Sequence, residues 1–322
     1  MGTQAQAARH GHRRTACADA DAWGLTMGSR IGTHIVIGIL WLLQLLPLRA
    51  LAALGQGLGR LLWHLARSRR RIALRNLELC FPEKSAAERE MLARQHFGWM
   101  GRGLLERGLL WFASPARLQR LIQIRGDIKV AEGSKAPVMW LVPHFAGLDW
   151  IGPGLMLNQG VPTATTYQRQ SNPVFDARML AGRNRFGNNV CVERQEGIRP
   201  VLRLIREGRG YVNAWDMDFG VKDSAFVPLF GVPASTLLAP SKIARSMGML
   251  VRPLVLTMLA GGQGYVLEVW QAPAGYPSDD LVADAHALNA WLEARIRENP
   301  SQYLWVHKRF KTRPEGEASP YA

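Results

Sequence analysis

The sequence predicts an α/β fold: a central mixed sheet flanked by helices, with a membrane helix in front of it. Three observations predict this. From residue 137 onward, short apolar runs alternate with amphipathic stretches, the pattern of a sheet buried between helices. The first of these runs, PVMWLVPH, stops at Pro143-His144 and is followed by Asp149. Residues 31–48, IGTHIVIGILWLLQLLPL, carry no formally charged side chain, and as a helix they would reach roughly 27 Å, near the thickness of a bilayer's hydrocarbon layer.

The elements follow in order. Residues 1–29 are polar, rich in small residues and without a hydrophobic period, as in a disordered extension. The apolar run to Leu48 is read as the anchor, with Pro47 bending or ending it. The next segment, ALAALGQGLGRLLWHLA, is apolar on one side and carries Arg60; it suits an interfacial helix or a hairpin partner. Arg67, Arg69, Arg70 and Arg71 follow directly. Arginines beside a membrane end stay cytoplasmic and attract anionic lipid. The expected organisation is therefore an extension (1–29), an anchor (30–66), a catalytic body at the inner leaflet (67–314) and a short tail (315–322).

Residues 72–125 read as two or three helices, one of them started by the capping-box pair Ser85 and Glu88. GLDWIGPGLML suits a short helix, TATTY (163–167) a strand, and RPVLRLIREG (199–208) an amphipathic helix stopped by glycine. GYVNAW (210–215) suits a buried strand running into Asp216. VRPLVLTML and YVLEVWQ flank Gly261-Gly262-Gln263-Gly264, a hairpin signature. DDLVADAHALNAWLEARIREN places Leu281, Leu288, Trp291 and Ile296 near one helical face.

Forty Lys and Arg against 25 Asp and Glu give a net charge of +15. That excess favours anionic partners without choosing among nucleic acid, lipid headgroups, phosphorylated substrates or an acidic carrier protein. Cys17, Cys80 and Cys191 are odd in number and far apart, which implies neither a disulfide framework nor a zinc ribbon. No serine elbow, Walker loop or HExxH is present, so covalent serine hydrolases, P-loop enzymes and zinc proteases lack their sites.

The chemistry that remains centres on His144 and Asp149. Imidazole is the base suited to deprotonating a hydroxyl near neutral pH, and a carboxylate on its other nitrogen fixes the tautomer. On one continuous helix, five residues turn through about 500°, leaving the two side chains on different faces. The pair works if His144 precedes the helix and Asp149 sits in its first turn. With no partner nucleophile, such a pair fits direct transfer. Arg183 and Arg185 in AGRNRFG suit phosphate or carboxylate. Asp216 and Asp218 in NAWDMDFG lie where strand-end carboxylates face functional crevices. His307, Lys308, Arg309 and Lys311 form a basic run read as a headgroup contact.

Five ordered stretches carry a family resemblance: RIALRNLELCFPEKSAAERE (71–90), VPHFAGLDW (142–150), YQRQSNPVFDARMLAGRNRFG (167–187), AWDMDFGVKDSAFVPLFGVPASTL (214–237) and QYLWVHKRFKTRP (302–314). Together they resemble the late acyltransferases of lipid A biosynthesis, the lauroyl and myristoyl transferases, within the wider lysophospholipid acyltransferase family. The resemblance implies a glycerol-phosphate-acyltransferase-like fold at the inner membrane. It implies an acyl-carrier-protein thioester as donor and a phosphorylated, Kdo-bearing glycolipid as acceptor, whose 3-hydroxyacyl chain is esterified. No cofactor, metal or nucleic acid is implied. Carried over, His144 is the base, Asp149 its orienter, and Arg183 and Asp216 bear on activity or substrate binding. Asp149 stands where many members have Glu, Trp215 replaces a frequent Pro, and Tyr167-Gln168-Arg169 departs from the usual Tyr-Arg; these differences bear on acyl length and acceptor position. Two other readings stay open: another acceptor, such as phosphatidylinositol mannoside or a lysophospholipid, and a non-catalytic basic protein of the membrane surface.

Overall fold

The computed structural model describes residues 27–187 and 189–321. The disordered extension expected at 1–29 falls almost entirely outside the described residues. Helices α1 (Met27–Leu43), α2 (Leu48–Leu65), α3 (Arg67–Cys80), α4 (Ala86–Phe112) and α5 (Pro115–Leu121) come first. Then follow β1 (Ile122–Arg125), α6 (Val130–Gly133), β2 (Val138–Leu141), α7 (Ile151–Met156), β3 (Thr163–Tyr167), α8 (Pro173–Asn184), β4 (Val190–Glu193), α9 (Arg199–Arg206) and β5 (Gly210–Asn213). The chain continues through β6 (Ser224–Leu229), β7 (Val232–Leu237), α10 (Ala239–Ser246), β8 (Leu250–Met258), β9 (Tyr265–Val269) and α11 (Leu281–Glu298).

Seven strands form one sheet in the order β1-β9-β8-β2-β5-β3-β4, and β6 and β7 make a separate hairpin. Every pairing in the large sheet is parallel except β8 with β9. That exception is the hairpin expected from the glycine cluster, whose Gly261, Gly262 and Gly264 all take positive φ. The mixed sheet flanked by helices is thus present. Strand β2 lies at its centre with all four residues buried. One face packs against Leu288, Leu292 and Ile296 of α11. The other packs against Leu109, Leu110 and Trp111 of α4 and Ile151 and Leu155 of α7.

The expected membrane helix is not present as such. Among the described residues, no helix is long and apolar enough to cross a membrane. The apolar run is cut short physically: α1 has 17 residues, about 25 Å, and the backbone turns at Leu45 and Leu46 before Pro47. One side of α1 lies on the protein. Leu40, and Gln44 just past the helix end, are buried, and Gly108 of α4 sits so close that a Cβ there would meet the Leu40 carbonyl at 2.3 Å. The opposite side leaves Ile31, Ile35, Val36, Ile39 and Leu42 exposed.

Helix α2, expected as an interfacial helix or a hairpin partner of the segment before it, packs instead against α4 across the intervening α3. The two approach through glycine: a Cβ on Gly101 would lie 2.2 Å from the Gly55 carbonyl and 2.5 Å from the Gly59 nitrogen. Helix α4 begins with the expected capping box, Ser85 with Glu88. It carries a fully buried ion pair, Arg102 Nε to Glu106 at 2.7 Å. Tyr265 donates to Glu106, and Arg102 also donates to the Leu259 carbonyl, so both charges are met by partners in the interior.

Candidate active site

Strand β2 runs into Val142-Pro143-His144, and the chain leaves the sheet there. The loop is pinned by the C-terminal segment: Leu304 N–H donates to the His144 carbonyl and Ala146 N–H to the Gln302 carbonyl. Gln302 in turn spans the Met258 backbone in both directions. Asn76 donates to the carbonyls of Trp305 and His307. The stretches 71–90, 142–150 and 302–314, far apart in sequence, therefore build one loop scaffold. Arg309 belongs to it: it is 2% exposed and donates to the Ser235 carbonyl and the Thr236 hydroxyl. A headgroup contact through the whole basic run is excluded for this residue by its burial.

His144 finds its carboxylate in Asp216, just beyond β5. Its ring Nδ1 lies 2.6 Å from Asp216 Oδ1, and its backbone N–H donates to Oδ2 at 2.9 Å. Asp216 is completely buried. Burial pushes its carboxyl up, but the His144 ring, the two hydrogen bonds from His144 and the charge of Arg309 outweigh burial and hold it below the usual carboxylate range. A carboxylate on Nδ1 places the ring proton there and leaves Nε2 as the basic nitrogen. The side chain of His144 is 19% exposed, at the mouth of a cavity.

Asp149, expected as the orienter of His144, is not on its ring. It sits in a short 3₁₀ turn, Leu148–Trp150, ahead of α7. This turn aims its carboxylate at two arginines. Arg107 of α4 donates to Oδ2 and Arg183 of α8 to Oδ1, each at 2.8 Å. Burial raises the Asp149 carboxyl, but the two guanidinium charges win and hold it far below the usual carboxylate range. The correction is geometric: five residues of turn carry Asp149 over the pocket to the helical side, while the neighbouring parallel strand β5 delivers Asp216 directly behind His144.

The remaining expected site residues divide. Arg183 and Asp216 join the site. Arg185 points away from it and donates to the Ala113 carbonyl just past the end of α4, where a cation meets the helix's negative end. Asp218 holds the C-terminal segment, accepting from the backbone N–H and the hydroxyl of Thr312, each at 2.7 Å. Neither Arg185 nor Asp218 lines the cavity. Arg107 went unread in the sequence; its one signal is a lone arginine inside the apolar run GLLERGLLWF of α4.

The cavity measures about 250 Å³ and has one chemical gradient. His144, Asp149, Arg107 and Arg183 stand at the carboxyl ends of the strands. Leu110, Trp111, Ile151, Leu155 and Val212 line the depth beside β3. Met156, Thr163 and Asn189 line it at the amino end of β3, where the Thr163 hydroxyl donates to Asn189 at 2.8 Å. From Thr163 to Tyr167, strand β3 spans roughly 13 Å at 3.3 Å per residue. Among the described residues, no group of His, Cys, Asp and Glu could hold a metal ion.

A histidine backed by a buried carboxylate, an apolar slot beside it and two guanidiniums on the same cavity are compatible with acyl transfer, and comparison with known proteins bears on this directly. The family model described as bacterial lipid A biosynthesis acyltransferase matches residues 20–312. A lipid A biosynthesis lauroyltransferase of Escherichia coli K12 is 34% identical over 90% of this chain and 94% of its own length. A palmitoleoyltransferase of the same pathway and strain is 33% identical over the same shares. A myristoyltransferase of that strain is 34% identical over 82% of each chain. The protein is an acyltransferase. More narrowly, the chain belongs to the bacterial lipid A biosynthesis acyltransferase family, whose members act in lipopolysaccharide biosynthesis.

Proposed function

We propose that this enzyme moves a fatty acyl chain from an acyl-carrier-protein thioester to a hydroxyl of a phosphorylated, Kdo-bearing lipid A precursor, forming an acyloxyacyl group. The observation that carries the reading is the 2.6 Å contact of His144 Nδ1 with the buried Asp216, which leaves Nε2 as a base at the mouth of an apolar slot. His144 takes the proton of the acceptor hydroxyl as the oxygen attacks the thioester carbonyl carbon. The carbonyl's π electrons move to its oxygen; on collapse the carbon–sulfur bond breaks, and the thiolate leaves with the proton held by His144. The transferring chain lies in the slot between β3, α4, α7 and α8. Donor and acceptor are both anionic, in keeping with the net charge of +15.

The setting we propose is the inner membrane, with the catalytic domain (residues 67–314) on its cytoplasmic face. The exposed apolar side of α1 supports docking into the lipid interface rather than crossing it. Arg30 and Arg49 on the same helical pair suit anionic headgroups.

The test is transfer by purified protein in detergent, with carrier-protein thioesters of several chain lengths and Kdo-bearing lipid A precursor, read by product mass. A gain of one acyl chain that is lost in His144→Ala supports the reading. Transfer to a phospholipid or another glycolipid, but not to this precursor, would move the acceptor assignment. Flotation with anionic vesicles tests the docking, and Ile35→Ser/Ile39→Ser/Leu42→Ser should leave most of the protein unbound.

A further inference from the structure

We infer that Arg107 is a catalytic residue of the transfer: together with Arg183 it holds the oxygen of the thioester carbonyl as negative charge develops there, and Asp149 is the positioning residue that sets both guanidiniums. The inference rests on the acyl-transfer reading of the pocket and adds a residue and a role to it.

The geometry is that of a bridge. One carboxylate spans two guanidiniums brought from different helices, one on each oxygen, at 2.8 Å each. One guanidinium would neutralise Asp149. The second leaves a surplus of one positive charge in the pocket wall, two cations against one anion. Each guanidinium carries five N–H donors, and Asp149 takes one from each, so donors remain for a third group. Arg107 and Arg183 are about a quarter and a third exposed, and both line the cavity that His144 lines. Arg107 is held further by the ring of Phe175, 5.8 Å from its guanidinium carbon. Two restrained cations with unused donors beside a base are what a developing oxyanion needs, because their dipoles are already oriented when the charge appears. Asp149 thus serves the electrophile's side of the reaction, while Asp216 serves the base.

The test uses the full-length enzyme with a carrier-protein thioester and two acceptors: the phosphorylated precursor, and the same lipid with its phosphates removed. Arg107→Lys is expected to lose about 100-fold or more in kcat on both acceptors, with the acceptor KM within a few-fold of wild type. Asp149→Asn, similar in volume, should show the same kcat loss on both acceptors, again with the acceptor KM within a few-fold of wild type. The Arg107→Lys/Asp149→Asn double variant should lose little more than either alone. Three results would overturn the inference. One is an unchanged kcat in Arg107→Lys. A second is a defect confined to the KM of the phosphorylated acceptor and absent on the other, which would make the pair a phosphate clamp. The third is a double variant whose losses simply multiply, which would mean that Asp149 does not act through Arg107. If Arg107→Lys does not fold, Asp149→Asn decides alone. A wild-type enzyme inactive with every donor would instead defeat the acyl-transfer reading itself.

Discussion

Replacing Asp216 by Asn is the sharpest test of the base assignment. The substitution keeps the shape of the side chain but puts an amide where His144 Nδ1 now meets a carboxylate at 2.6 Å. The second carboxylate oxygen accepts the His144 backbone N–H, so the amide oxygen is drawn to that position. The amide nitrogen then faces Nδ1 and donates to it. The ring proton is driven to Nε2, and the nitrogen that must accept the hydroxyl proton becomes a donor. The anion that steadies the imidazolium is lost as well. Where a buried carboxylate serves a histidine in this way, the equivalent change lowers kcat by about four orders of magnitude, or about 5 kcal/mol of transition-state stabilisation. Here the histidine is partly exposed, so we expect roughly 1,000- to 10,000-fold. The assay is initial-rate thiol release together with product mass, run across pH on enzyme checked by thermal melting. A loss below tenfold, with Asp149→Asn instead carrying the loss and displacing the pH profile, would refute the assignment of Asp216 as the orienter.

Three further outcomes follow from the structure. Met156→Ala enlarges the slot at the amino end of β3; since one methylene in an apolar pocket discriminates by about tenfold or more, the kcat/KM ratio of the next longer thioester to the preferred one should rise about tenfold, and an unchanged chain-length profile would show that the chain ends elsewhere. His96 is fully buried, and burial lowers it to about 4 against a backbone bond that raises it. The unfolded chain therefore binds a proton the folded one refuses between pH 6.5 and about 4, so stability falls with falling pH across that window, by about 3 kcal/mol for this residue; chemical denaturation in His96→Gln should show a shallower pH slope. Gly101→Ala would force a Cβ to within 2.2 Å of the Gly55 carbonyl, so α2 and α4 must separate at a cost of about 2–3 kcal/mol. A melting temperature within a degree of wild type would show that the glycine contact is dispensable.

Much of the fold was legible in local chemistry. The strands TATTY and GYVN, the helix ended by Gly208, the Ser85–Glu88 cap and the glycine hairpin between β8 and β9 each follow from turn residues, period and capping. These short-range rules failed in two places: Ile122–Arg125, read as the end of a helical stretch, is strand β1, and Ala214 and Trp215, read as strand, lie beyond the end of β5. The membrane helix failed for a related reason. Hydropathy counts apolar residues but does not see that the backbone turns at Leu45–Leu46, or that Leu40 is committed to Gly108 of α4.

For the site, the sequence by itself determined the place of His144 at a strand end, because an apolar strand stopping at Pro-His is a local event. It also carried the family, through five ordered stretches. Tertiary structure alone decided which carboxylate serves the histidine. Asp149 is near His144 in sequence and Asp216 is far, yet parallel pairing of β2 with β5 brings Asp216 behind the ring, and the turn after His144 sends Asp149 to Arg107 and Arg183. Spacing along a chain fixes side-chain neighbours only within one continuous helix or strand. Across a loop, the partner is set by which strand lies alongside, and that is a property of the sheet.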